Sequence, residues 1–352
     1  MSQTSGPILA GKHPVPDDIH DPALEWPLIA ERIGECQALV EPVFDKADAA
    51  ALSHQKTHQR LTKVAAVSAT FAVVLAIVEL PRLIPRDEIL VFAEVLAALA
   101  ALLAVVLGLV ASQLNHWLVE RYKAERCRLL KFAYLIDPVI WGSNQQKKSD
   151  RVAKLREDVS VIDKVQTIEE PQKWLTEVHR PAFLTELGEY QGDEQVLRQL
   201  IGYYRATRLH AQIEYFGNRI KRFAFRDRVT RILPQWLFFI SVLAAFVHFS
   251  VLFLQPEKSQ EAHLSAAVSL ALLAAVLPVF GAGIRTYRMA NEFGRNVKRF
   301  ESTRHVLSEM DHWLEENVDA KTALLTLWSC EHTLEIEQRE WLRLMAETEW
   351  FG

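Results

Sequence analysis

Three ionisable side chains, Glu79, Glu94 and His248, fall inside long apolar stretches of the chain. A carboxylate or imidazole among Leu, Val, Ala and Phe is costly in hydrocarbon unless it faces protein or water, so such a residue marks a functional position by default. Glu79 and Glu94 stand near the outer ends of two neighbouring apolar runs. Acids at a pore mouth favour cations; the structural alternative is an interfacial pair with Arg82 and Arg86. An imidazole is the side chain whose unperturbed charge change lies near physiological pH, which suits His248 to gating. Its simpler role is that of a neutral hydrogen-bond partner to an adjacent helix.

The densest basic stretch is 219–231, RIKRFAFRDRVTR, preceded by Tyr203, Tyr204, Arg205 and Arg208. Together with Lys221, Arg222, Arg226 and Arg228 these residues combine charge with stacking surface, which fits a phosphate-bearing ligand. Anionic lipid headgroups fit the same chemistry, at about 1 kcal/mol per basic residue. His54 and His58 in HQKTH stand one helical turn apart, but a metal needs three or four ligands, so a solvated helix face is expected and no metal. Residues 281–286, GAGIRT, lack the third glycine and the preceding strand of a dinucleotide loop. No P-loop, nucleophile elbow, zincin helix or paired acid–base set stands in the sequence, so neither an enzyme nor a cofactor is expected.

The elements that carry these residues are four apolar runs, 64–80, 89–111, 232–254 and 264–284. A bilayer core takes about 20 apolar residues in a helix. Three runs reach that length; the first falls slightly short unless Leu83 and Ile84 extend it. The runs pair into two hairpins whose outer flanks are basic: Lys56, Arg60 and Lys63; Arg121, Lys123, Arg126, Arg128 and Lys131; the 219–231 strip; and Arg285, Arg288, Arg295, Lys298 and Arg299. The inner turns, 81–88 and 255–263, balance or favour acids. Cytoplasmic flanks keep Lys and Arg. The expected protein is therefore a multi-pass, all-α integral membrane protein of the inner (cell) membrane, with both termini and the middle segment cytoplasmic. Membrane lipids are its first partners.

The sequence has 352 residues, half of them hydrophobic, and a net charge of −4 that hides this local bias. Cys36, Cys127 and Cys330 are an odd, scattered set, which argues against a disulfide framework and fits a reducing compartment. No cleaved signal peptide is expected at the N-terminus. Five segments follow: 1–53, an N-terminal part with short helices broken at Pro27 and Pro42; 54–137, the first hairpin and its exit helix; 138–215, a helical middle; 216–317, the second hairpin and exit helix; and 318–352, a C-terminal helix. The 3.6-residue beat of Leu118, Tyr122, Leu129, Phe132 and Ile136, with Glu125 as its mismatch, predicts one unbroken helix from 89 to 136. The fourth run is likewise predicted to continue to 317, kinked at Pro278. The two halves repeat in pattern with a period of about 170 residues and the same membrane sense, unlike inverted-repeat transporters. Small residues at Ala100, Ala104, Gly108 and Ser112, and at Ala267, Ala271 and Ala275, allow close helix approach. They serve oligomerisation or packing within one subunit.

The exit helix ERYKAERCRLLKF (120–132) after a membrane hairpin, with the acidic, Trp-containing helix EIEQREWLRLMAETEW (335–350), resembles the SLATT group of prokaryotic two-helix membrane effectors. The resemblance covers each hairpin and its exit helix; this chain carries two hairpins and no fused nucleotide sensor. It implies an oligomeric, pore-forming effector of a prokaryotic antiphage defence system, gated through its cytoplasmic region by an anionic signal. That signal would be a nucleotide second messenger from a partner nucleotidyltransferase. The alternative is a non-conducting membrane scaffold or receptor that recruits partners through cytoplasmic helices.

Overall fold

The computed structural model describes residues 22–79, 88–110, 112–167, 169, 173–174, 192–254, 260–316 and 319–347, and these are helical with no strand among them. The short helix α1 (Pro22–Glu25) is followed by α2 (Ala30–Glu79), α3 (Glu88–Val110), α4 (Gln113–Ile136), a 3-10 turn (Pro138–Trp141) and α5 (Gln145–Asp163). Then come α6 (Glu194–Tyr204), a π turn (Arg205–Leu209), α7 (His210–Leu254), α8 (Gln260–Asn291), α9 (Phe293–Glu315) and α10 (Ala320–Glu347). Four helices are long and apolar enough to cross a membrane. Most of both expected outer turns, the first 21 residues and residues 175–191 lie outside the described residues.

Three expectations change. The break at Pro42 is absent: α2 runs 50 residues through it. A proline removes one N–H from a helix, and here the α2–α4 contacts given below hold the segment in place. The unbroken exit helices are each interrupted. Ser112 (φ 44°, ψ 35°) separates α3 from α4, and Glu292 (φ 42°) separates α8 from α9. Among the described residues these two are the non-glycine residues at positive φ. One left-handed residue ends the hydrogen-bond ladder; neither left-handed residue is itself a glycine, although Gly294 stands two residues past the second. At the second, side chains take up the freed carbonyls: Asn291 Nδ2 donates to Tyr287 O (2.8 Å) and Asn296 Nδ2 to Asn291 O (3.1 Å). Pro278 lies inside α8 without ending it. The internal repeat thus acquires a structural form: a long entry helix (α2, α7), an apolar helix (α3, α8), a left-handed residue, and an exit helix (α4, α9). Because a left-handed non-glycine residue costs about 1–2 kcal/mol, Ser112→Gly should raise thermal stability by up to about 1 kcal/mol. Ser112→Ala should not, and equal melts for the two variants would remove backbone strain as the cause.

The chain divides into two compact units. Of the described residues, those within 22–57, 112–220 and 298–347 form unit 1, and those within 58–110 and 221–297 form unit 2. The apolar spans thus group together, and the exit helices group with the middle and C-terminal segments.

In unit 1, α2 and α4 run antiparallel. Tyr134 OH donates to Glu35 (3.0 Å), the Cys36 thiol to Lys131 O (3.8 Å) and Arg121 to Asp48 (3.1 Å); His54 Nδ1 lies 2.9 Å from Gln113 Oε1. On α9, Phe300, Leu307 and Leu314 are buried at seven-residue intervals. A core of Leu118, Val119, Tyr122, Leu129, Val165, Trp174 and Leu342 joins α4 to α10.

In unit 2, α7 and α8 touch at four levels. Asp227 pairs with Arg288 (3.0 Å), Pro234 packs on Gly281, Ser241 Oγ donates to Ala274 O (2.7 Å), and His248 Nδ1 lies 2.6 Å from Ala267 O. Each step of seven along α7 is matched by seven backward along α8, the signature of an antiparallel heptad seam. At the Pro234 level the helices are in close contact: a Cβ on Gly281 would meet Pro234 atoms at 3.7–3.8 Å, an ordinary van der Waals distance.

Candidate functional site

Glu125, the one charge on the buried beat of α4, is the hub of an ion-pair network in unit 1. Its carboxylate receives two hydrogen bonds from Arg128 Nη1 (2.8 and 2.9 Å), one from Gln338 Nε2 (2.6 Å), and an ion pair from Arg121 one turn away. Arg121 also reaches Asp48, and the Arg128 guanidinium stacks over Phe44 at 5.0 Å. Burial alone would raise the Glu125 carboxyl, but Arg121, Arg128 and Arg208 together hold it below the usual carboxylate value. Glu337 goes the other way: burial pushes it up against the opposing pull of Arg299 at 3.3 Å.

A second hub is Glu331 on α10. It accepts from Arg208 Nε (2.8 Å) and Nη2 (3.0 Å) and from Tyr204 OH (2.7 Å), while the Arg208 guanidinium sits 5.0 Å over Phe132. Arg208 is 2% exposed. The π turn brings this about. His210 N–H bonds back to Arg205 O, five residues away. The widened turn presents Arg205 to Asp311 (2.7 Å) and Glu315 (2.5 Å) on α9 and Arg208 to α10. Such turns often mark functional positions. Of the residues singled out for anion binding, Tyr203 and Tyr204 are buried, and Arg205 and Arg208 are occupied by internal carboxylates. Lys221, Arg222 and Arg228, in unit 2, are exposed, and Arg226 is half-buried. The two groups belong to different units.

Pattern reading missed Arg121, Glu125, Arg128, Glu331 and Glu337 as a set. Arg121 and Arg128 had been counted among the topogenic charges; Arg128 and its neighbour Lys131 are each 6% exposed. The available signal was the mismatch itself, an acid on a buried beat with bases three and four residues away.

In unit 2, the His248 ring bonds a carbonyl, so Nδ1 is the protonated nitrogen and donates to Ala267 O. Glu94 is half-buried on α3; Glu79 ends α2, and its side chain lies outside the described residues. The small residues divide. Ala104, Gly108 and Ala267 are buried and Ala100 half-buried within one chain, whereas Ala271, Ala275 and Ser112 are exposed. Sequence reasoning missed the seam through Asp227, Pro234, Ser241 and His248, whose signal is a seven-residue spacing of unlike side chains.

A cavity of roughly 50 Å³ opens beside the Glu125 hub, lined by Gln55, Trp117, Arg121, Tyr215, Glu337 and Trp341 among others. Gln55 Nε2, Trp341 Nε1 and Gln338 Oε1 find no protein hydrogen-bond partner, so it offers two donors and an acceptor to a small polar guest such as water. A wider groove of roughly 250 Å³ between α4, α5 and α10 has an apolar floor (Leu129, Leu130, Ala133, Leu155) and a rim of paired charges, including Arg151–Asp137 and Lys154–Asp158. The three cysteines are buried thiols, Cys36 and Cys127 both pushed up to about 12 by burial, which makes poor nucleophiles. Among the described residues no cluster of three metal-ligating side chains forms, and the His54 ring stacks on His116 instead, centroids 5.4 Å apart. No family model, curated protein or solved structure matches the chain.

Proposed function

We propose that the chain is an oligomeric, channel-like effector of the prokaryotic inner membrane. In this reading its four apolar helices form two membrane hairpins, both termini are cytoplasmic, and an anionic signal acts on the cytoplasmic helices. The observation that carries the reading is Glu94. It is half-buried in a run of Val, Leu and Ala on α3 and makes no ion pair with any described residue. Arg82 and Arg86, its expected alternative partners, lie outside the described residues; a carboxylate at such a position is tolerated where it faces water or a neighbouring subunit, and one acid from each copy makes a cation-attracting ring. The uncovered faces of the spans, with Leu102 and Phe246 at 60% and 66% exposure, support lipid or further copies around a single chain. The α7–α8 seam supports the second hairpin. The defence role, and a nucleotide signal from a partner nucleotidyltransferase, rest on the resemblance to the SLATT group.

Planar-bilayer recording of purified protein tests the channel. Cation-selective currents are expected, and Glu94→Gln should move the reversal potential towards that of an unselective pore while insertion is unchanged. Protein that inserts and oligomerises but leaves the bilayer tight, with and without anionic nucleotides, defeats the channel and favours the scaffold.

A further inference from the structure

Arg121, Arg128 and Arg208 of unit 1 are held by internal carboxylates, whereas several cations at one end of the unit 2 spans are not. Lys63 on α2, Arg222, Arg228 and Arg231 on α7, and Arg285 on α8 are all exposed, and none makes an ion pair with a described residue. The nearby acids are already taken: Asp227 holds Arg288 through Nε (3.1 Å) and Nη2 (3.0 Å), and Glu292 faces Arg295 at 3.5 Å. These exposed cations are open to an external anion.

Their neighbours say at what depth it lies. On α7, Phe225, Val229, Ile232 and Trp236 are exposed at 4-, 3- and 4-residue spacing, a continuous apolar stripe on the side opposite the α8 seam. Arg222 and Arg228 border that stripe, each about 60° from its centre at 100° per residue. The exposed apolar face runs from Phe225 to Phe253, about 42 Å at 1.5 Å per residue. That exceeds the hydrocarbon core of about 30 Å and matches the 40–45 Å of a bilayer with its headgroups. The stretch from Phe225 to Ile232 then lies in the headgroup layer, with aromatic rings in the interface and the arginine stems free to snorkel.

We propose that this band, Lys63, Arg222, Arg228, Arg231 and Arg285, is a binding surface for the phosphate groups of anionic phospholipids. The inference rests on the membrane reading of the spans and does not depend on the channel. The recognised group is a phosphodiester, and the apolar stripe between the arginines selects its lipid form over a free phosphate, because the acyl chains continue along Ile232, Trp236 and beyond.

The test is native mass spectrometry of the full chain taken from nanodiscs of phosphatidylcholine with a minority of phosphatidylglycerol. Retained phosphatidylglycerol should be enriched over its share of the disc. Arg222→Gln/Arg228→Gln/Arg231→Gln should cut the enrichment about fivefold per arginine, about two orders of magnitude in all. The corresponding triple lysine variant should keep most of it, which separates lost charge from lost fold. Raising salt from 0.15 to about 1 M should weaken it, since screening shortens the electrostatic range. Equal retention of the two lipids by the parent protein, or unchanged enrichment in the glutamine variant, overturns the proposal. Inorganic pyrophosphate that displaces the lipid at equal ionic strength reassigns the band to free phosphates and overturns it too. Failure to enter nanodiscs at all defeats the membrane reading, and this inference with it.

Discussion

Glu125→Ala is expected to destabilise the protein by about 3–5 kcal/mol, because it leaves the buried Arg128 and the paired Arg121 without their shared carboxylate. Removing one partner of a buried ion pair leaves an uncompensated charge, whereas replacing the whole set by apolar groups of similar volume is often neutral. The triple variant Arg121→Met/Glu125→Leu/Arg128→Met should therefore be less damaged than the single one. Tryptophan fluorescence in mild detergent reports the transition, since Trp117, Trp174 and Trp341 surround this core. The pH dependence has a defined sign. The folded carboxyl is held below its ordinary value of 4.5, so its contribution is fully present above that pH. It is lost as pH falls below 4.5 through the folded pKa. The parent should lose stability there more steeply than Glu125→Gln. A loss under about 1 kcal/mol for Glu125→Ala, or parallel acid profiles for parent and glutamine variant, would reduce Glu125 to an incidental contact.

How much of this was legible follows from what each pattern encodes. The all-helical class and the four apolar spans are composition read over windows of about 20 residues, and both appear in the structure. The breaks at Ser112 and Glu292 were not legible because a single left-handed φ leaves the 3.6-residue beat almost intact on either side. Pro42 misled in the opposite sense: local propensity predicts a break, and tertiary contacts between α2 and α4 override it. Charge was the hardest to read. An arginine that faces solvent and one that faces a buried glutamate look alike in a single sequence. Arg208 and Arg222 were thus placed in one ligand strip, although one is 2% exposed and the other lies on the surface. The heptad of Asp227, Pro234, Ser241 and His248 was present, but it mixes an acid, an imino acid, a hydroxyl and an imidazole, which a hydrophobicity count does not register.

Arg208→Ala is the second large effect, again about 3–5 kcal/mol, since Glu331 would keep its charge in a buried site with the Tyr204 hydroxyl as its remaining donor among the described residues. Arg205→Ala, on the same π turn but partly exposed, should cost about 1 kcal/mol or less. The contrast matters for function. A lost response to an anionic signal in an Arg208 variant would report a damaged unit 1, whereas the same loss in an Arg222 or Arg228 variant, whose side chains make no ion pair with a described residue, would report lost anion binding at the exposed band. Arg208→Met combined with Glu331→Leu removes both charges and should recover much of the stability lost in Arg208→Ala. If the double variant is as unstable as the single one, the Phe132 cation–π contact at 5.0 Å and the Tyr204 hydroxyl matter more than the ion pair. If Arg208→Ala melts like the parent, the buried pair is not what holds the π turn against α10, and the turn must be held by Arg205 with Asp311 and Glu315 instead.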